Sequence, residues 1–212
     1  MNLPQKDKEG KQYVSYSQIS TWTRSKRDYI RQKFFGEGYS SNAYTDFGNL
    51  IGKALETNCF DGFTEEEANF LKTIPRYDIF EKEVHVDMGE YYVLCFIDTA
   101  TQDLSKIADY KTGEIAKKVS DYSSEEYLQL DIYAAGCKQE TGRLPECVDV
   151  HLIDRKGNAF AGEELKLGDK FETIKRPISV DTVATALIEV NRAAREISQY
   201  YEVFLKLKEL KS

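Results

Sequence analysis

Between Ile79 and Lys111 the hydrophobic pattern takes a period of two, in three runs separated by short polar turns: IFEKEVHV, YYVLCFID and LSKIADYK, with DMGE and TATQD between them. Alternate side chains of a strand face the same way, so short alternating runs joined by short turns predict a three-stranded antiparallel meander. Helical patterns precede it; a helix, further strands and a long closing helix follow. That order predicts an α/β fold, a central mixed β-sheet with an antiparallel meander flanked by helices.

The rest of the chain is assigned around that meander. Residues 1–14 are polar and are expected to form a flexible segment, with residues 15–212 as a single domain. A chain of 212 residues, 41% hydrophobic and 12% aromatic, can bury one sizeable core. YSQISTWTRSKRDYIRQKFF predicts one helix opened by Ser17 or Ser20, with Ile19, Trp22, Tyr29 and Ile30 on its apolar face. Its other face is basic: Arg24, Lys26, Arg27, Arg31 and Lys33 against Asp28. GEGYSSNAY is a loop by composition, and DFGNLIGKALETNCF and TEEEANFLKTI are helices. SSEEYLQLDIYAAGCKQETG predicts an amphipathic helix closed by Gly142, ECVDVHLID a partly buried strand and KFETIKRPIS another. From Val180 a long helix places Val183, Leu187, Val190, Ile197, Tyr201 and Phe204 near helical spacing, a stripe that one sheet face would absorb.

Composition narrows the function. A net charge of -7 argues against a protein that coats nucleic acid by charge alone, but not against an enzyme that acts on it. Four scattered cysteines, without a CxxC pair and with only two histidines, predict neither zinc nor a disulfide framework. No apolar run reaches the roughly 18 to 20 residues of a membrane span, and the polar start lacks the apolar segment of a secretory signal. The expected location is the cytoplasm of the producing or infected cell.

The meander gathers Asp98, Asp109 and Lys111 at one end of the sheet, since Asp109 and Lys111 share a strand face. Hard cations such as Mg2+ take carboxylate oxygens and water. Asp98 and Asp109 could therefore hold such an ion, with the Tyr110 carbonyl, while Lys111 orients water or offsets charge on a phosphate. A lone D…DxK is a weak signal, and two neighbours strengthen it. Upstream, Gly48, Gly52 and Glu56 recur every four residues on one helical face, where the glycines allow close approach and Glu56 can aim at the meander. Downstream, Gln129 and Tyr133 stand one turn apart, an amide and a phenol able to contact the carboxylates or a DNA backbone.

In this order and spacing, Glu56, Asp98, Asp109-Tyr110-Lys111 and Gln129-x-x-x-Tyr133 resemble the PD-(D/E)XK nuclease superfamily, and within it the RecB-like and phage exonuclease branch. The likeness runs from about Ser15 to Tyr133 and includes the openings YSQISTW and KRDYIRQKFFG. It implies a restriction-endonuclease-like core and a Mg2+ or Mn2+ dependent deoxyribonuclease, an exonuclease of recombination, repair or phage genome processing. Asp98, Asp109 and Glu56 match its metal residues, Lys111 its catalytic lysine, and Gln129 and Tyr133 its last motif. Two departures stand out. The helical histidine of many RecB-like members falls on Gly52, leaving Glu56 one turn on as its substitute, and the cysteines that hold an iron-sulfur cluster in some relatives are not matched, so no cluster is expected.

The basic strip is the candidate for backbone contact, with Lys117 and Lys118 beyond the active-site strand as another, and Trp22, Tyr39 and Tyr44 as candidates for base stacking. DNA is the expected partner; the resemblance also allows a helicase or strand-annealing protein and a homo-oligomer. The competing class is a nuclease-fold protein, catalytically weak or inactive, that binds DNA or a partner. A third reading, an interaction module whose long helix pairs with a partner, has less behind it, because the fold needs that helix as a cover.

Overall fold

β3 (Tyr92–Ala100) is the strand around which the sheet is organised. The computed structural model describes residues 1–38 and 41–210. Along one edge of β3 runs β2 (Ile79–Asp87), antiparallel, from the Ile79–Ala100 pair to the Asp87–Tyr92 pair. The other edge is shared. β4 (Lys106–Gly113) pairs with it only at Thr99 and Ala100, and β1 (Tyr13–Ser15) pairs in parallel at Tyr92 to Leu94. Between those two contacts the edge of β3 is open. β4 continues in parallel register with β5 (Cys147–Lys156), and β5 pairs antiparallel with β6 (Lys166–Lys175), completing a six-stranded mixed sheet among the described residues. The mixed α/β architecture with its meander is the one the sequence predicts.

Two cores lie against this sheet. The larger joins α1 (Tyr16–Arg24), α6 (Gln129–Thr141) and α7 (Val180–Glu209) to the strands through Trp22, Val93, Ile97, Leu130, Ile132 and Val190, all almost inaccessible. The smaller uses α3 (Ala43–Thr57) and α4 (Glu65–Thr73), whose Ile51, Leu55 and Leu71 meet Ile153 and the ring of Tyr110. α6 lies tight on β2 because Gly136 has no side chain there; a Cβ would stand 2.8 Å from Val84 Cγ2.

Several expectations are corrected. The N-terminal segment expected to be loose is docked: Leu3 and Val14 are fully buried, and the terminal ammonium pairs with Glu90 at 2.9 Å. Its few apolar residues fill the sheet edge that β4 vacates. The single helix expected over residues 16–35 is two, α1 and α2 (Lys26–Lys33), parted at Ser25, which is extended and caps α2 by accepting from the Asp28 amide. The first cap is Ser15, not Ser17 or Ser20. The helix expected to begin near Ser123 begins at Gln129, after a separate α5 (Ile115–Ser123) and a short strap. It is enclosed rather than amphipathic, with every residue from Leu130 to Cys137 buried between the sheet and α7. Finally, α7 packs chiefly on α6 and α1, so helices rather than a bare sheet face absorb its stripe. No helix among the described residues is long and apolar enough to cross a membrane.

Candidate active site

The opening beside β3 comes from the early parting of β3 and β4, whose last ladder pair is Thr99 with Ala108. Beyond it the Tyr110 amide donates to Asp98 Oδ2 at 2.6 Å, so a carboxylate stands where a strand carbonyl would otherwise accept. One residue back, Asp109 is fully buried, and its charge is met from three sides. Lys111 Nζ lies 2.5 Å from Oδ2, the Tyr127 hydroxyl donates to Oδ2 at 3.4 Å, and Gln129 Nε2 donates to Oδ1 at 3.1 Å. Gln129 also donates to the Tyr133 oxygen at 2.5 Å and accepts from Tyr127 at 2.8 Å. The fold thus assembles Asp98, Asp109, Lys111, Gln129 and Tyr133.

The electrostatics are those of crowded like charges. Burial and then the Asp109 charge push the Asp98 carboxyl up to about 7, against the pull of Lys111 and the Tyr110 amide. For Lys111, burial opposes the charged form, but Asp109 and Asp98 outweigh it and hold the ammonium charged well above its usual range. Burial, reinforced by Asp109, keeps Tyr127 and Tyr133 protonated and neutral.

A further acid belongs here that the sequence reading passed over. Glu81 stands opposite Asp98 on β2, and the ladder skips that pair, running from Phe80–Thr99 to Lys82–Ile97. Its φ is +47, a left-handed value for a non-glycine residue in mid-strand. Burial and then Glu56 raise its carboxyl, with Asp109 adding to the effect. The turn gave no such signal: counting back symmetrically from DMGE pairs Glu81 with Phe96, and the observed register, shifted by two residues, brings it across from Asp98 instead. Glu56 is at the margin of this cluster, one-third exposed and paired with Lys53 at 2.9 Å. Of the glycines below it, Gly48 faces Thr112, whereas a side chain at Gly52 would meet open space, so close packing does not require that glycine.

The donor set fits a hard divalent cation. Four carboxylates interact electrostatically around Lys111 and Lys53, and the rise at Asp98 comes first from burial and then from the Asp109 charge. Among the described residues no three histidine, cysteine or acidic side chains converge tightly enough to chelate an ion alone. Mg2+ binds through one or two carboxylates and keeps several waters. Asp98 and Asp109 are the residues that would hold it.

A cleft of about 830 Å3 lies beside this cluster, lined by Lys111, Gln129 and Tyr133 together with Arg24, Lys33 and Lys118, the last paired with Asp121 at 2.6 Å; neither Asp98 nor Asp109 is in its lining. A larger cavity of about 1130 Å3 between α1 and α7 includes none of Lys111, Gln129 and Tyr133 in its lining. The basic strip is therefore divided. The break at Ser25 turns α2 away from α1, so Lys26 pairs with Glu196 over the Trp22 ring and Arg31 bonds Glu37 at 2.7 Å. Arg27 is exposed but does not line the cleft, and Lys117 pairs with Glu114 at 2.6 Å. Trp22 is buried and donates to Glu196, which removes it from base stacking. Tyr44 is half-buried beside Phe160, and Tyr39 lies outside the described residues.

With this geometry in hand, solved structures show where the architecture recurs. A protein of Eubacterium rectale assigned as an exonuclease superposes with a TM-score of 0.52 at 11% identity, covering 95% of this chain and 83% of that one. An alkaline exonuclease of Laribacter hongkongensis gives 0.54 at 15% identity, covering 94% of each. The fold is shared with these nucleases. No family model matches the chain, and no curated relative matches it by sequence.

Behind the site, a buried ion pair fastens the strap between α5 and α6. Arg176 donates to the carbonyls of Tyr122 at 3.3 Å, Ser124 at 2.7 Å and Tyr127 at 3.1 Å, and to Asp131 Oδ2 at 3.3 Å. Both partners are more than nine-tenths buried. The strap that presents Tyr127 and Gln129 to Asp109 is thereby held by one guanidinium.

Proposed function

We propose that the protein is a divalent-metal-dependent deoxyribonuclease of the PD-(D/E)XK type, in its RecB-like and phage exonuclease branch, that hydrolyses phosphodiesters in the cleft beside β3. The observation that carries this reading is the convergence, on parted strands, of Asp98, Asp109 and a partly buried, charged Lys111, with Lys111 lining a cleft that Arg24, Lys33 and Lys118 also line. A bound divalent ion supplies Lewis acidity and a water of lowered pKa. Lys111, held against Asp109, presents a fixed cation to the scissile phosphate as its negative charge grows. Gln129 and Tyr127 hold Asp109 in place by donating to it, and Tyr133 positions Gln129 by accepting from the same amide nitrogen. Glu81 adds negative charge to the side of the cluster facing β2. The cations lining the cleft meet the DNA backbone and define its path without reading sequence.

Exonuclease action in recombination, repair or genome processing is the reading we favour, supported by the shared fold of two exonucleases. The test is cleavage of end-labelled linear and covalently closed circular DNA with Mg2+, Mn2+ or EDTA. Metal-dependent loss of linear DNA alone is expected. Loss of circles as well would point to endonuclease action, and intact substrates with DNA still bound would establish the binding-protein alternative.

A further inference from the structure

Between β5 and β6 the chain turns through one 3-10 turn, Ala159–Ala161, which holds Phe160 at 88% exposure. A lone exposed apolar side chain is ordinary on a protein surface. This one is held in place and has a cation beside it. Asn158 Oδ1 accepts from the Phe160 amide at 3.1 Å and from the Tyr44 hydroxyl at 3.0 Å, while the Ala159 amide donates to that hydroxyl at 3.0 Å. Glu163, the nearby acid, accepts from the Asn158 amide at 2.9 Å. The rings of Tyr44 and Phe160 pack with centroids 5.3 Å apart. The Arg155 guanidinium lies 4.2 Å from the Tyr44 centroid and makes no ion pair among the described residues. Its Nε has no hydrogen-bond partner there either.

The cluster lies beyond the cleft, whose lining includes none of Phe160, Tyr44 and Arg155. Lys111 is opposite Leu152 in the β4–β5 register, and Arg155 is three residues farther along β5, about 10 Å at the rise of a strand. Arg155 is also near enough to act electrostatically on Lys118, which lines the cleft with Lys111. An exposed ring on a rigid turn, a second ring bracing it and a cation without a carboxylate partner match an unpaired nucleotide, which offers an apolar base face and an anionic phosphate together.

We infer that Phe160, Tyr44 and Arg155 form a stacking platform for an unpaired nucleotide of a DNA strand that extends out of the cleft. The platform rests on the nuclease reading for the identity of the polymer, while its geometry is independent of the catalytic cluster. Phe160 offers its outer face to the base, and Arg155 takes the adjoining phosphate. A blunt duplex, whose base faces are stacked inside the helix, gains only the backbone contact.

The experiment is fluorescence anisotropy of the full chain in EDTA, with a labelled single-stranded oligonucleotide and the blunt duplex of the same sequence. Phe160→Ala is expected to weaken single-strand binding about tenfold, within the range for losing one base–aromatic stack, and duplex binding less than twofold. Phe160→Trp is expected to restore the single-strand affinity. Arg155→Ala is expected to weaken both probes and lower the salt dependence. Unchanged single-strand affinity in Phe160→Ala, an equal loss on both probes, or no single-strand binding by the unmodified protein would overturn the platform. If the unmodified protein cleaves DNA while Phe160→Ala binds normally, the platform fails and the nuclease reading stands. If nothing is cleaved with any metal but Phe160→Ala selectively loses the single strand, the platform stands and that reading fails.

Discussion

Replacing Arg176 by methionine tests whether one buried cation organises the active-site wall. The change removes four hydrogen bonds, three to carbonyls of the α5–α6 strap and one to Asp131, and leaves Asp131 buried without its counter-ion. Breaking a buried pair from one side costs about 3–5 kcal/mol, and bonds from a charged donor are worth about 1.5–3 kcal/mol each, although they do not add fully. The pair itself is imperfect: among the described residues Asp131 Oδ1 and Arg176 Nε have no hydrogen-bond partners. We therefore expect a loss of about 4 kcal/mol for Arg176→Met. The double variant Arg176→Met with Asp131→Asn should recover about 2 kcal/mol by removing the stranded charge, leaving the cost of the unmet carbonyls. Urea unfolding followed by the fluorescence of Trp22, the single tryptophan and a buried one, gives both numbers. A loss below about 1 kcal/mol, or a double variant no more stable than the single, would refute the reasoning.

Asp98→Asn should flatten the pH dependence of stability in EDTA. Because burial and Asp109 raise the Asp98 carboxyl from 3.8 to about 7, the folded state binds more protons than the unfolded state across that window, so stability falls as pH rises from about 4 to 7. The fall is about 2 kcal/mol, half the full linkage value because Asp109 shares the site, and pH-dependent urea midpoints measure it. Gly136→Ala should cost about 1–3 kcal/mol in the same unfolding assay, since the added methyl meets Val84 at 2.8 Å beneath a buried helix. Arg24→Glu with Lys33→Glu should weaken DNA binding and reduce its salt slope by about 2, whereas Arg27→Glu with Arg31→Glu should change affinity less than twofold in the same titration.

The meander, the long last helix and the meeting of Asp98, Asp109, Lys111, Gln129 and Tyr133 were legible because each rests on local periodicity: alternation in strands, or one helical turn between Gln129 and Tyr133. What escaped depends on partners distant in sequence. β1 is three residues long and forms only because β4 abandons the edge of β3, and nothing within residues 1–14 announces that vacancy. The basic strip looked continuous because helical spacing carries through Ser25, but Ser25 also satisfies the start of a second helix, and capping won over continuation. The strap before α6 has the composition of a helix; the reach of Arg176 from beyond β6 diverts its carbonyls. Glu81 was hidden for a different reason. Its strand alternates normally, and only the hairpin register and the strained backbone distinguish it from Glu83, which faces His85 and solvent.

The central claim is that the chemistry resides in the Asp98, Asp109 and Lys111 cluster, and Lys111→Ala tests it most directly. Single-turnover cleavage of labelled linear DNA with Mg2+, beside DNA binding and urea unfolding of the same preparations, separates chemistry from affinity and folding. The account predicts a rate at least about a hundredfold lower, with affinity within a few fold and the fold retained. Metal-dependent cleavage at the unmodified rate in Lys111→Ala would contradict it.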